Sequence, residues 1–323
     1  MTSKAPGRAS MLIVAALSLS CNEHEKTASQ ASSARPETRP IDLWVAGDVH
    51  GIGPDTEQRL APLASRLSGA LGFVNLEGAV DVAGHPPATI LPDGRVVLAN
   101  PASGLGALAS AGVRFVDLAN NHAADLGDEG ASARLAREAG LEPLGRSAPL
   151  QSVGEGASTL HLAALELTPD LDVKRELARL LGPEDLQNGH LIVAFHVNGP
   201  PSYLPSALLR SAADEAIRLG ADVVLSHGTH ALGPIERRGD AVIAWGLGNL
   251  LFSCSCTRER DGLVLRLSFP AERAIQVEVI PVDAGLDGAP ATLSHDSGLI
   301  FDLLDAIGSS PLSRGRDGTA TLL

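Results

Sequence analysis

Short apolar runs alternate with longer amphipathic stretches along the chain from residue 41 onward. The runs are rich in Val, Ile, Leu and Phe and are bounded by polar, glycine or proline residues, which is typical of buried β-strands. They predict strands at residues 41–46, 73–76, 115–118, 160–165, 191–195, 223–225, 241–246, 262–269 and 275–281.

Between several of these strands, apolar residues recur every three or four positions, as on one face of an α-helix. Such stretches span residues 56–70, 104–111, 127–139 and 205–219, and glycine follows three of them, as expected at helix ends. The alternation predicts a layered α/β fold rather than a helical bundle. The last strands follow one another directly, which predicts β-hairpins at the end of the domain.

The first residues have the pattern of an export signal. Lys4 and Arg8 precede the apolar run 11–19, which is too short to span a bilayer, and Ser20 precedes Cys21. Residues 17–21 resemble a bacterial lipobox that would lipidate Cys21, although the residues just before the cleavage point match poorly. A plain secretory signal is the alternative. Both predict an exported chain, and lipidation would anchor it at the cell envelope, facing the periplasm or the exterior.

Composition divides the rest of the chain. Residues 22–40 have almost no large apolar side chains and predict a flexible linker after the signal of residues 1–21. The strand and helix pattern places one large domain at residues 41–285. Residues 286–323 form a C-terminal extension, in which the Ser, Gly and Arg cluster at 309–318 predicts a loose tail.

The net charge narrows the choice of partners. The formal charge is −13, and no basic stripe offers contacts to a phosphate backbone, so nucleic acid is excluded as the main partner. Aromatic residues make up only 3% of the chain, so the core must be filled mainly by aliphatic side chains.

Cys254 and Cys256 are separated by one residue. In an extended strand, that spacing holds them too close for an unstrained disulfide. We therefore expect two partly buried structural thiols, with a strained bridge in an oxidising compartment as the alternative.

Several predicted strands end directly in residues able to bind a metal ion. Because the carboxyl ends of parallel strands meet in one crevice, these residues are expected to converge. Asp48 and His50 form the first such pair. A lone Asp-x-His is more often a hydrogen-bonded turn, so it indicates a metal site only together with other potential ligands. They are Glu77 near Asn75, Asn121 and His122 before Asp125, the single His196, and the pair His227 and His230.

Their order along the chain resembles that in calcineurin-like metallophosphoesterases. Four segments are more specific, because they resemble the CapA family of poly-gamma-glutamate capsule-synthesis proteins over residues 41–281. These are Asn75-Leu76-Glu77, Ala119-Asn120-Asn121-His122 with Asp125 and Gly127, residues 220–224 running to Pro234-Ile235-Glu236, and residues 247–252.

The resemblance implies a four-layer α/β/β/α sandwich with a divalent metal pair above the sheets. Asp48, His50 and His230 would hold one metal, Asn121 and His196 the other, and Glu77 would bridge them. His122 would act as the general acid. The pair would supply a water of lowered pKa near neutral pH, and its oxygen and imidazole ligands suit Mn, Fe or Zn.

Two departures from the family pattern affect the site, one at the second metal and one at the contacts to substrate. The histidine loop of the family usually reads His-x-His, but alignment on residues 234–236 places Gly228 where the first ligand belongs. His227 lies one residue early, so either it swings into place or the second metal is weak or absent. The segment after His196 also lacks the Trp and acidic residue common there, whereas His50 restores a ligand that many CapA-like sequences lack.

The resemblance implies an envelope-associated, metal-dependent hydrolase or accessory factor that acts on an extracellular polymer or phosphoester. The alternative is a non-catalytic lipoprotein that serves as an assembly or binding module of a membrane polymer-synthase complex. Phosphodiesterase action on nucleotides ranks below both, because the sequence offers no means of base recognition.

Overall fold

The computed structural model describes residues 41–146, 148–182, 186, 188–254, 256–257, 259–270 and 274–323. The predicted signal segment and linker, residues 1–40, lie outside the described residues. Across the part that is described, no helix is both long and apolar enough to cross a bilayer.

Each predicted strand overlaps an observed one. In chain order, the strands of the described residues are β1 Leu43–Val49, β2 Leu71–Leu76, β3 Ala79–Asp81, β4 Ala88–Ile90, β5 Val96–Pro101, β6 Val113–Asp117, β7 Glu142–Leu144, β8 Leu150–Val153, β9 Leu160–Leu167, β10 His190–Val197, β11 Val223–His227, β12 Ile235–Arg238, β13 Ala241–Ala244, β14 Asn249–Phe252, β15 Asp261–Ser268, β16 Gln276–Asp283, β17 Gly285–Leu286, β18 Thr292–Leu293, β19 Leu312–Arg314 and β20 Ala320–Leu322.

Helices lie between these strands. They are α1 Thr56–Leu60, α2 Ala64–Leu67, α3 Leu105–Ser110, α4 Glu129–Glu138, α5 Val173–Leu181, α6 Ala207–Arg218 and α7 Ser297–Ile307, with 3-10 helices at Ala61–Leu63, Ala102–Gly104 and Gly156–Ser158. The single helix predicted at 56–70 is instead broken into α1, a 3-10 turn and α2. Pro62 explains the break, because proline lacks an amide hydrogen and interrupts helical hydrogen bonding.

Three hydrophobic clusters separate four layers. Among the described residues, the first sheet has the main order β19-β20-β16-β15-β1-β2-β6-β7 and the second the order β12-β13-β11-β10-β9-β8. Leu43 and Val45 of β1 belong to the cluster between the sheets, together with Ile192 of β10. Trp44 lies in the cluster that includes residues of α1–α4, and α5 and α6 cover the second sheet. The predicted α/β/β/α sandwich is therefore confirmed.

A β-bulge in β1 determines which face of the sheet carries Asp48. Ala46 is opposite Val74 of β2, and Asp48 is opposite the next residue, Asn75, so Gly47 is an extra residue. Because side chains alternate along a strand, Asp48 would otherwise point toward the helices like Ala46. The bulge turns Asp48 to the side facing the second sheet.

The C-terminal segment is not a loose tail, and that expectation is wrong. Helix α7 buries Ile300, Phe301 and Leu304, and β20 pairs with β16 of the first sheet. Ala320 and Leu322 are buried in the cluster between the sheets. Burial of these apolar side chains stabilises a segment whose strands are too short to be recognised from their sequence pattern.

We expect Leu322→Ala to lower the free energy of unfolding by about 2–4 kcal/mol, because it leaves a cavity in the core. The neighbouring Leu323→Ala is the matched control, since Leu323 is exposed and its loss should change stability by less than about 0.5 kcal/mol. Urea unfolding measures both values. Equal stability of the two variants would contradict the docking of β20.

Candidate metal centre

Four polar side chains form a row across adjacent strands of the first sheet. Asp48 of β1 is in register with Asn249 of β14 on one side and with Asn75 of β2 on the other. Asn75 is in turn in register with Asp117 of β6. All four residues are buried. These strands run parallel, so their carboxyl ends form one edge, and the site lies there as predicted.

Asp48, Glu77 and His230 form a group that could hold a metal ion. One potential ligand atom from each lies within 4.8 Å of the others. His230 Nδ1 is 3.0 Å from Asp48 Oδ2, and His230 Nε2 is 3.7 Å from Glu77 Oε1. Two carboxylates and one imidazole suit Mn, Fe and Zn, so this part of the predicted ligand set fits a divalent cation.

The polypeptide holds Glu77 in place from two sides. Its N–H donates to the carbonyl of Val49 at 2.9 Å, and its own carbonyl accepts from Asn100 Nδ2 at 2.8 Å. Asn100 Oδ1 also accepts from the N–H of Gly51 at 2.8 Å. One buried amide therefore joins the loops after β1 and β2.

Asp48 and His230 are held in opposite charge states. Burial alone would raise the pKa of Asp48, but the hydrogen bond and charge of His230 outweigh it and lower that pKa to about 2. Burial alone would lower the pKa of His230, but the hydrogen bond to Asp48 and the charge of Glu77 raise it to about 9. In the metal-free protein at neutral pH, they form an ion pair.

Burial raises the pKa of Glu77 to about 8, and the neighbouring Asp48 carboxylate adds to the effect. The raised pKa values of Glu77 and His230 both favour protonation of the metal-free site, so a cation that binds there competes with protons.

Amide side chains orient these ligands. Asn75 Nδ2 donates to Asp48 Oδ1 at 2.8 Å and so orients this carboxylate. Asn120 Nδ2 donates to Asn75 Oδ1 at 3.0 Å and to the carbonyl of Leu76 at 3.0 Å. Asp48 thereby lies at the end of a fixed chain of hydrogen bonds.

His50 does not join the three-residue group. Its Nε2 donates to the carbonyl of Pro87 at 2.9 Å, and its ring packs against Phe252 with centroids 5.1 Å apart. Its Nδ1 is buried and has no hydrogen-bond partner in the described part of the chain, and burial lowers the pKa of His50 to about 4. The ligand role of His50 stays a prediction.

Asn121 and His196 meet each other beside the group. His196 Nε2 is 2.7 Å from Asn121 Oδ1, and burial lowers the pKa of His196 to about 3. His227 is fully buried, and its Nδ1 is 3.9 Å from Asp48 Oδ1. The metal-ligand roles predicted for these three residues stay predictions.

The predicted general acid, His122, lies between two cavities. Its Nδ1 is 2.7 Å from Asp125 Oδ2, which also accepts from the N–H of Leu98 at 2.8 Å. A cavity of about 400 Å³ is lined by His122 with Glu77 and His230. Another of about 680 Å³ is lined by His122 with Asn121 and Asp125. His122 therefore faces space on both sides.

Cys254 and Cys256 form a disulfide, so the expectation of two separate thiols is wrong. They follow β14 outside any strand, and their Cα atoms are 5.1 Å apart, within the range that a disulfide spans. Cys256 also lines the cavity that contains Glu77 and His230. The pair thus lies in one wall of the crevice.

The sequence analysis gave no role to Asn100 or Asp117. Asn249, in the segment 247–252 of the family resemblance, has its Oδ1 3.0 Å from His230 Nδ1, so it orients that ring. Asp117 was visible as a polar residue inside the otherwise apolar predicted strand 115–118. Asn100 carried no such signal, because it contacts the site only through backbone groups of other loops.

Asp117 gives a pH-dependent prediction. Its Oδ2 is buried with no hydrogen-bond partner from the residues that the structure describes, and burial raises the pKa of Asp117 to about 7. The protonated Asp117 carboxyl stabilises the folded protein fully below the pKa of the unfolded chain, near 3.8. This contribution is lost as pH rises through the folded-state pKa of about 7. Asp117→Asn should remove this loss, so its stability relative to wild type should rise by about 2–3 kcal/mol between pH 5 and pH 8.

Urea unfolding at the two pH values tests this expectation. Asp93→Asn serves as the control, because Asp93 is exposed and its pKa is lowered by Arg95, so it does not titrate in this range. A difference between Asp117→Asn and wild type that does not change with pH would refute the assignment.

Comparison with known proteins identifies the family. A family model described as bacterial capsule synthesis protein PGA_cap matches residues 29–159 and 172–254, more than half of the chain. The chain belongs to this capsule synthesis family. The first matched segment carries Asp48, His50, Glu77, Asn121 and His122, and the second carries His196, His227 and His230.

Two relatives in the capsule synthesis family match parts of the chain. The PGA biosynthesis protein CapA of Bacillus subtilis (strain 168) is 32% identical over 93 residues, which are 29% of this chain and 24% of that protein. The capsule biosynthesis protein CapA of Bacillus anthracis is 22% identical over 210 residues, 57% of this chain and 51% of that protein. The chain thus spans about a quarter and about half of their lengths.

A solved structure shares the fold of this capsule synthesis family member. It is described as a novel phosphatase from Mycoplasma pneumoniae, with a TM-score of 0.53 and 14% identity, and the match covers 76% of this chain and 95% of that one. At this identity, the likeness shows the fold alone. It agrees with the calcineurin-like metallophosphoesterase fold that the sequence predicts.

Proposed function

We propose that the protein is a metal-dependent hydrolase of the cell envelope that acts in capsule or poly-gamma-glutamate synthesis or export. The observation that carries the proposal is the placement of His122 beside the Asp48, Glu77 and His230 group, because Glu77, His122 and His230 line one cavity. A possible ligand group and a possible proton donor therefore face the same bound molecule.

A divalent cation bound by Asp48, Glu77 and His230 would polarise a substrate oxygen and lower the pKa of water. The structure supplies the protein's part of this chemistry. Asn75 and Asn249 orient Asp48 and His230 by hydrogen bonds of 2.8 and 3.0 Å. Such supporting contacts typically strengthen metal binding by about 10- to 100-fold.

His122 is the residue proposed to move a proton. Since the Asp125 carboxylate accepts a hydrogen bond from Nδ1, the imidazolium form of His122 would carry its second proton on Nε2 and would pass that proton to a leaving group. The N–H of His122 donates to Asn120 Oδ1 at 3.2 Å, so the backbone at this position is tied to the same network as Asp48.

The substrate is proposed to be an extracellular polymer or a phosphoester. The names of the two relatives concern poly-gamma-glutamate (PGA) and capsule biosynthesis, which supports a polymer. The cavities on both sides of His122 would let a chain extend past the reacting bond. The proposal also includes export of the chain, a lipid anchor at Cys21 and contact with a membrane synthase complex.

Hydrolysis by purified protein tests the proposal. We expect release of product from poly-gamma-glutamate or from a chromogenic phosphodiester after loading with Mn²⁺, and loss of release after chelation and dialysis. Chain length by gel electrophoresis and absorbance measure the two substrates. No turnover of either substrate by protein shown to hold Mn²⁺ would contradict hydrolase activity.

A non-catalytic assembly or binding module is the second candidate. Gly228 favours it, because this glycine stands where the resemblance places a metal ligand. Protein that binds no metal and hydrolyses nothing, yet is retained with membranes containing a polymer synthase, would support this function instead.

A further inference from the structure

Gly228 has no space for a side chain. Its φ is +92°, a conformation that residues with a side chain rarely adopt. A Cβ atom added there would lie 2.6 Å from Cε1 and Nε2 of His196. The N–H of Gly228 is directed at Asp48 Oδ2 at 3.3 Å. The glycine is therefore packed between two site residues, and its position cannot supply a metal ligand.

The position of His227 is fixed by the second sheet. It is the last residue of β11 and is in register with His196 of β10, so strand pairing fixes its backbone. Its ring packs edge-on against Phe73 between the sheets, with centroids 6.1 Å apart. Both ring nitrogens are buried without hydrogen-bond partners among the described residues, and neither belongs to the three-residue group.

The donors left for a second ion are few. The resemblance assigns it Asn121, His196 and a shared Glu77, and Asn121 and His196 are paired with each other at 2.7 Å. Glu77 belongs to the group with Asp48 and His230. One neutral amide, one imidazole and a shared carboxylate make a weaker site than the first, which has the unshared carboxylate of Asp48 as well.

We propose that each chain retains one divalent cation, at Asp48, Glu77 and His230, and that the second position of the expected pair does not hold an ion tightly. This inference rests on the proposed function and specifies its cofactor. Asn121 then serves as a polar group in the cavity wall, and the buried His196 holds it in place through the contact between them.

Counting bound Mn²⁺ tests the inference without an activity assay. Metal-free full-length protein is saturated with Mn²⁺ and passed through a desalting column, and the retained metal is measured by mass spectrometry. We expect one Mn²⁺ per chain and the electron paramagnetic resonance spectrum of an isolated ion. Two Mn²⁺ per chain with an exchange-coupled spectrum would overturn the single-cation inference and leave the proposed function intact.

Two variants separate the sites. Asn121→Ala should keep one Mn²⁺ per chain, whereas His230→Ala should retain almost none, with circular dichroism confirming that both fold. A decrease in the Asn121→Ala variant from two ions to one would identify a second site and overturn the inference. Folded wild-type protein that retains no Mn²⁺ would overturn both this inference and the proposed metal dependence.

Discussion

Asp48→Asn is expected to weaken Mn²⁺ binding by at least about 100-fold and to abolish hydrolysis. Asparagine has the same shape and can still accept the hydrogen bond from Asn75, but it lacks the negative charge that a cation requires. Loss of a supporting contact alone costs about 10- to 100-fold in metal affinity, so loss of a direct ligand should cost at least as much. Calorimetric titration with Mn²⁺ measures the change.

The matched control is Asp117→Asn. Asp117 lies in the same polar row and is equally buried, but it is not part of the three-residue group. We expect Mn²⁺ affinity within about twofold of wild type for this variant. Equal loss of Mn²⁺ affinity in both variants would show that the row of four buried polar side chains, rather than the three-residue metal group, determines metal binding.

His122→Ala is expected to lower kcat by about 10²- to 10⁴-fold while one Mn²⁺ stays bound. That range is typical for loss of a residue that donates a proton in the transition state. The imidazole of His122 is partnered by Asp125 rather than by the three-residue group, so its removal should leave the metal in place. Steady-state kinetics and metal analysis of the same sample separate the two effects.

His85→Ala is the control for this variant. His85 also pairs with a carboxylate, Asp81, at 2.9 Å, but its side chain is half exposed and lines neither crevice cavity. Its removal should leave kcat unchanged. Unchanged kcat in His122→Ala as well would exclude His122 as the proton donor.

Most of the fold could be predicted because the inner strands are continuous apolar runs. β10 and β11 are buried on both faces, so their composition alone identifies them. The three-residue strands β19 and β20 could not be found this way, because their pairing depends on the distant β16. Pro62 was visible in the sequence, but the helical spacing of the apolar residues around it favoured one continuous helix.

The candidate site was predicted in its location rather than in its detail. Asp48, Glu77 and His230 converge as the strand ends imply. Spacing also paired His50 with Asp48, but the extra residue in β1 and the carbonyl of Pro87 determine where these side chains point. Such long-range contacts leave no local pattern, which is also why Asn100 was not recognised.

Asp48, Glu77 and His230 come from three separate segments of the sequence, and the fold brings them together. An unfolded chain cannot bring the ligands together, so a cation that binds here binds only the native state. At a free concentration 100 times its Kd, such an ion stabilises that state by about 2.7 kcal/mol. The supply of divalent metal would then set how long the protein resists proteases.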